Sequence, residues 1–92
     1  MKAPKGDLVR GKDRWFCYVL ECADGTFYTG ITNSIDRRLS MHNRGCASRY
    51  TRGRLPVRSV YAEPYRDRSS ASRREIEVKK MSRARKRRLG GV

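Results

Sequence analysis

The stretch Trp15-Phe16-Cys17-Tyr18-Val19-Leu20-Glu21-Cys22-Ala23-Asp24-Gly25-Thr26-Phe27-Tyr28-Thr29-Gly30-Ile31-Thr32 decides the fold. Its two halves are rich in aromatic and β-branched residues, so they read as strands either side of Ala23-Asp24-Gly25. A three-residue hairpin loop usually ends in a left-handed residue, and Gly25 is suited to that position. Such a loop pairs Cys22 with Thr26, Leu20 with Tyr28 and Tyr18 with Gly30. Tyr18 and Tyr28 then share one face as diagonal neighbours, within roughly 7–8 Å of each other. Gly30, opposite Tyr18, puts no side chain over its ring. A two-residue Asp24-Gly25 turn would send the tyrosines to opposite faces, so their meeting depends on the register.

Beyond the hairpin, Thr32-Asn33-Ser34 offers N-cap residues, with Asn33 and Asp36 in a weak capping-box relation. A short helix is predicted from Ser34 to Asn43, ending near Gly45. Residues 46–55 read as a loop carrying Arg49, Arg52 and Arg54. The alternating run Pro56-Val57-Arg58-Ser59-Val60-Tyr61-Ala62-Glu63 reads as a third strand, which Pro64 ends. Asp67 or Ser69 then caps one long helix from Arg68 to Arg88, and Gly90-Gly91 stops it. The order β-β-α-β-α argues for an α+β domain, a small antiparallel sheet packed by helices. Residues 1–14 are expected to be a flexible basic lead-in, 15–89 the domain and 90–92 a tail.

Ninety-two residues make one small domain with a modest core. The net charge of +14, from 23 Lys and Arg against 9 Asp and Glu, calls for a polyanionic partner. No segment approaches the ~18 consecutive apolar residues of a transmembrane helix. Nor does any apolar stretch near Met1 resemble a signal peptide. Nucleic acid is therefore favoured over a membrane surface, and a cytoplasmic location is expected. Cys17, Cys22 and Cys46 are odd in number and widely spaced, as reduced thiols are. Cys17 and Cys22 point to opposite faces of one strand, and no second close ligand pair accompanies them, which argues against a zinc site with His42.

Polar residues stand where core residues belong. Ile35, Arg38, Leu39 and His42 follow the i, i+3, i+4, i+7 spacing of an inward helical stripe. Ala71, Glu75, Val78 and Ser82 form a similar stripe. The plain readings are an arginine at the rim of the core, a satisfied core histidine, and a Glu75 paired with Arg38 or Lys79. The convergence of phenols, arginine, histidine and carboxylate on one sheet instead suits phosphodiester cleavage. Arg38 can grip a phosphate and stabilise transition-state charge. Glu75 can hold a hard divalent cation such as Mg²⁺. Tyr18, with an ordinary pKa near 10, needs a nearby cation, or His42 as proton acceptor, to serve as a base.

Cys17-Tyr18-Val19, Tyr28-Thr29-Gly30, the run Thr32 to Asn43 and Glu75 together resemble the GIY-YIG nuclease domain. The likeness spans roughly Phe16 to Leu89 and is strongest to small single-domain bacterial members. Their relatives include structure-specific endonucleases and the incision subunit of excision repair. The resemblance implies a three-stranded antiparallel sheet flanked by helices and metal-dependent cutting of nucleic acid. It also implies one divalent metal, Mg²⁺ or Mn²⁺, in a catalytic set of Tyr18, Tyr28, Arg38, His42 and Glu75. By motif position Tyr18 would activate the attacking water, with His42 a candidate proton acceptor and Glu75 the metal ligand. Asn43 and the Arg49-Tyr50-Thr51 run match further features of the single-domain group without an assigned role, and a base-stacking role for Tyr50 stands level with a packing one. Cysteine replaces the first glycine of the GIY tripeptide and valine its isoleucine, and Thr29 replaces the isoleucine of YIG. Many relatives carry a separate DNA-binding module, so a protein partner is expected to supply target specificity.

DNA is favoured over RNA, in repair or recombination. Phosphate contacts are expected from Arg37, Arg49, Arg52 and Arg73, and from Lys79, Lys80 and Arg83. Between Arg66 and Arg88 there are 11 Lys and Arg against 3 Asp and Glu. That density equally suits the alternatives, a non-catalytic basic module for DNA or RNA and a structural protein of a ribonucleoprotein assembly.

Overall fold

The hairpin forms in the expected register. In this computed structural model, which describes residues 14–90, β1 (Trp15–Glu21) and β2 (Phe27–Thr32) are antiparallel, with Leu20 opposite Tyr28 and Tyr18 opposite Gly30. Gly25 closes the loop at φ +84°, a left-handed conformation that L side chains adopt rarely. The Cys22 N–H donates to Thr26 O at 2.8 Å, and the Asp24 carboxylate accepts from the Thr26 N–H and hydroxyl at 3.1 and 2.6 Å.

Then come α1 (Ile35–Asn43), α2 (Arg49–Arg52), β3 (Arg58–Tyr65), α3 (Arg68–Lys79) and α4 (Arg83–Leu89). The sheet order is β2-β1-β3, antiparallel throughout. The chain is thus an α+β domain, a three-stranded antiparallel sheet flanked by helices. The central strand β1 is buried on both faces. Tyr18, Leu20 and Cys22 pack with Ile35 and Leu39 of α1 and with Val57. Cys17 and Val19 pack on the other side with Val78 of α3, Met81 and Leu89. Cys17 and Cys22 therefore do face opposite ways, and the three cysteines are free thiols.

Four local expectations need correction. Ser34, not Asn33, caps α1, accepting from the Arg37 N–H. The loop 46–55 contains the helical turn α2, which Ser48 caps through the N–H groups of Tyr50 and Thr51. The third strand starts at Arg58 rather than Pro56 and runs on through Pro64 to Tyr65, because β3 is an edge strand and the missing N–H of Pro64 breaks no indispensable ladder bond. The single long helix is two: α3 ends at Lys79, and Ser82 caps α4 by accepting from the Arg85 N–H. Met81 in the break packs into the core, an apolar anchor that a continuous surface helix would not need. Of the proposed lead-in only Arg14 lies among the described residues, and of the tail only Gly90. Among the described residues no helix is long and apolar enough to cross a membrane.

The ring of Tyr18 lies directly over Gly30. A Cβ at position 30 would stand 2.7 Å from the Tyr18 hydroxyl and 2.8 Å from Cζ, nearer than real Cβ contacts come. Gly30→Ala therefore displaces the ring, and its overpacking is expected to cost about 1–3 kcal/mol in chemical denaturation. A variant as stable as the native chain would mean that the ring does not lie over the strand.

Candidate active site

Tyr18 reaches from the central strand across Gly30, so its hydroxyl lies over the edge strand β2. There it meets the last turn of α1. Tyr18 Oη and His42 Nε2 share a hydrogen bond at 3.1 Å, and His42 Nδ1 bonds Thr51 Oγ1 at 2.8 Å. Tyr18, His42 and Thr51 are 3%, 1% and 0% exposed. Tyr28 completes an aromatic group, its ring centroid 6.4 Å from that of Tyr18 and 5.2 Å from that of His42. On its outer side Tyr28 stacks on Tyr50, whose ring in turn carries the Arg54 guanidinium at 3.9 Å. Arg54 is itself held by Asp24 at 3.0 Å and by the Tyr50 carbonyl at 2.8 Å. Tyr50 thus packs within the protein and still stays 37% exposed.

Arg38 sits one turn before His42, and its Nε is buried without a hydrogen-bond partner. It forms no ion pair among the described residues, so Glu75 is not its partner. Glu75 bonds Lys79 instead, at 3.3 Å, the plainest of the expected pairings. Glu75 lies on the stripe of α3 between the buried Ala71 and Val78, against the opposite face of the sheet from α1. Its negative charge nonetheless acts on Tyr18, and on Cys17, whose thiol burial pushes up to about 11. The Tyr18 hydroxyl is driven well above the ordinary range by burial, then by Tyr28 and Glu75, with Arg38 opposing. The structure thus gathers Tyr18, Tyr28 and His42 in direct contact, with Arg38 close enough to influence both Tyr18 and His42.

The basic residues divide. Lys79 and Lys86 line an open cleft of about 230 Å³ with Phe27, Tyr28, Thr29 and Tyr50, beside the tyrosine group. Lys80 lies instead in a groove with Arg74, Glu77 and Arg85, and Arg73 in another with Tyr65 and Arg74. Arg37, Arg49, Arg52 and Arg83 are exposed, Arg37 touching Asn33 and Arg83 the Gly25 turn. Sequence reasoning passed over Lys86, which nothing distinguished within the run Arg83 to Arg88. It left Asn43 without a role too. Asn43 accepts from the Val57 N–H at 2.8 Å and donates to the Val57 carbonyl at 3.1 Å, tying the end of α1 to the approach of β3.

Residues 14–88 match the GIY-YIG catalytic domain. The chain belongs to the GIY-YIG family. A UPF0213 protein of Desulfotalea psychrophila is 55% identical over 76 residues, 82% of this chain and 69% of that one. Two solution NMR structures are similar over most of their length. A UPF0213 protein from Bacillus halodurans is 43% identical with a TM-score of 0.52, covering 83% of this chain and 81% of its own. A protein from E. faecalis is 40% identical with a TM-score of 0.55, covering 79% and 78%.

Burial, and after it the Arg38 charge, holds the His42 pKa of this GIY-YIG domain below its ordinary 6.5. The unfolded ring takes up a proton near the ordinary value and the folded ring only at lower pH. Between the two the unfolded state binds more protons, so stability falls as pH drops below about 6.5 and levels off beneath the folded pKa. The carboxylates with lowered values, Asp24, Glu63 and Asp67, start from 3.8 to 4.5 and so titrate below this onset. Urea midpoints are expected to be lower at about pH 5.5 than at about pH 7.5, with His42→Gln removing most of the difference. Equal midpoints in the native chain would mean that His42 charges freely.

Proposed function

We propose that this GIY-YIG domain is a metal-dependent endonuclease that hydrolyses phosphodiester bonds of nucleic acid. The observation that carries the reading is a buried tyrosine hydroxyl bonded to an imidazole, beside an arginine left without a carboxylate. Arg38 as a whole is only half-buried and pairs with no carboxylate among the described residues, so its guanidinium is left to receive an incoming phosphate. Arg38 thereby orients the scissile phosphate and stabilises its developing charge. Tyr18 accepts a proton from the attacking water as its own passes to His42 Nε2. The hydroxide so formed adds to phosphorus, and the bond to the leaving oxygen breaks. Tyr28 shapes the wall, and Lys79 and Lys86 draw the flanking backbone into the cleft beside it.

Among the described residues no three His, Cys, Asp or Glu side chains gather as a metal cage. A single carboxylate suits Mg²⁺ or Mn²⁺, which take most of their ligands from waters and phosphate oxygens. Glu75 would hold the ion, exchanging its Lys79 contact for it, and the ion would neutralise charge on the leaving oxygen. DNA is preferred to RNA, in repair or recombination in the cytoplasm, on the likeness to structure-specific and excision-repair endonucleases. A partner protein choosing the target fits a domain this small.

The test is cleavage of branched, duplex and single-stranded substrates with Mg²⁺, with Mn²⁺ and with chelator. Tyr18→Phe is expected to slow cutting about 10²–10⁴-fold and Arg38→Ala about 10²–10³-fold. Glu75→Ala should abolish the metal-stimulated rate. Cutting that survives Tyr18→Phe and Glu75→Ala unchanged would belong to a contaminant and sink the assignment.

The exposed cations of α4 also suit a basic module that binds without cutting. Either way, the logarithm of affinity should fall against the logarithm of salt by about 0.9 per duplex phosphate neutralised. Affinity indifferent to salt would remove this helix from the contact surface.

A further inference from the structure

We propose that Thr51 is a positioning residue that sets the ring tautomer of His42, leaving the Nε2 lone pair for the Tyr18 hydroxyl. Its catalytic consequence rests on the nuclease reading; the tautomer itself does not.

Three buried groups form a chain: Tyr18 Oη to His42 Nε2 at 3.1 Å, His42 Nδ1 to Thr51 Oγ1 at 2.8 Å, and Thr51 Oγ1 to the Ser48 carbonyl at 3.3 Å. A phenol, a neutral imidazole and a threonine hydroxyl each have one proton to donate. If Tyr18 donates to Nε2, then the Nδ1–H donates to Thr51 and the Thr51 hydroxyl to Ser48 O. Three protons then meet three acceptors. In the reverse arrangement Thr51 donates to Nδ1 and the Nε2–H donates to Tyr18. The Tyr18 proton is then left without an acceptor among the described residues, and the Ser48 contact is unused. The first arrangement makes three hydrogen bonds within the protein and the reverse only two, which favours the Nδ1–H tautomer. The doubly protonated ring is opposed by burial and by the Arg38 charge.

The direction of the chain matters for chemistry. With its proton turned to Nε2, the Tyr18 oxygen keeps its lone pairs for the proton of an attacking water. In the reverse arrangement that oxygen already accepts from Nε2–H, and its own proton points outward, the wrong polarity for a base. As the water proton reaches Oη the phenolic proton passes to Nε2, and the imidazolium still donates its Nδ1–H to Thr51.

A four-residue helix cannot hold Thr51 by itself. It is fastened instead at both ends. Ser48 Oγ accepts from the N–H groups of Tyr50 and Thr51, and the Arg54 N–H donates to Thr51 O at 2.8 Å. Arg54 also bonds Asp24 and receives the Ala23 N–H on its carbonyl, so the hairpin loop anchors the turn.

His42 is the sole histidine of the chain, so its ring nitrogens are read without ambiguity. Two-bond ¹H–¹⁵N correlation spectra of the full chain, with the ring neutral, should show a protonated Nδ1 and an unprotonated Nε2. Thr51→Val keeps the shape and removes the hydroxyl. It should shift the ring toward the Nε2–H form and lower kcat on DNA on the order of 10–100-fold with KM little changed. Thr51→Ser should restore both. An Nε2–H ring in the native chain overturns the proposal, as does a Thr51→Val chain with unaltered tautomer and kcat. An Nδ1–H ring, lost in Thr51→Val, on a chain that cuts no nucleic acid would overturn the nuclease reading and leave the tautomer assignment standing.

Discussion

The structure depends on the absence of a side chain at position 30. Because Gly30 carries no Cβ, the ring of Tyr18 can lie across β2 and place its hydroxyl under the end of α1. Everything at the candidate site is measured from that hydroxyl. His42 meets it from the last turn of α1, Tyr28 flanks it from the strand it crosses, and the charge of Glu75 acts on it. A slip of one residue in the hairpin would exchange Tyr18 for Cys17 or Val19 and turn the tyrosine into the α3 core. The Gly25 turn and the Tyr18–Gly30 pairing thus enforce the same register, one through the backbone and the other through packing.

That register was legible in the sequence because a turn with a positive-φ glycine and a strict two-residue alternation leave few alternatives. The stripe of α1 was legible for a similar reason, since one helical period brings Arg38, Leu39 and His42 together. What was not legible depended on partners far along the chain. Pro64 extends a strand because that strand proves to be an edge. The stretch Lys80-Met81-Ser82 has no strong breaker, and the helix parts there because Met81 finds the core and Ser82 finds the Arg85 N–H. That Tyr50 packs against Tyr28 and under Arg54 could not be read from its local sequence. Thr51 belonged to a matched run without a role, and only the fold shows that its hydroxyl reaches a histidine nine residues back.

The distribution of acidic residues sharpens the reading of Arg38. Glu21 pairs with Arg58, Asp24 with Arg54, and Glu63 and Glu77 with Arg74. Glu75 takes Lys79, Asp67 caps α3, and Asp36 lies in the first turn of α1. In a chain this basic, cations outnumber possible partners, so an unpaired arginine on the surface carries little meaning. Arg38 differs because its Nε is buried and has no partner among the described residues. The ion pairs that staple the fold draw the carboxylates elsewhere and leave this guanidinium without one.

Burial raises Tyr18 and lowers His42, so in the free protein the transfer of a proton from one to the other is uphill. This is consistent with a base that acts only on its substrate. The resting pair stays neutral, and a neutral pair can be buried without the cost of two unpaired charges. A phosphodiester bound at Arg38 brings negative charge beside His42, which favours the imidazolium and offsets part of the effect of burial. Tyr18 need not exist as a free phenolate at any point if the water proton arrives as the phenolic proton leaves. A phenol with a raised pKa then has an advantage, since its oxygen holds the incoming proton firmly. In the proposed nuclease, the same burial that keeps the pair neutral in the free protein ties its activity to the arrival of an anion.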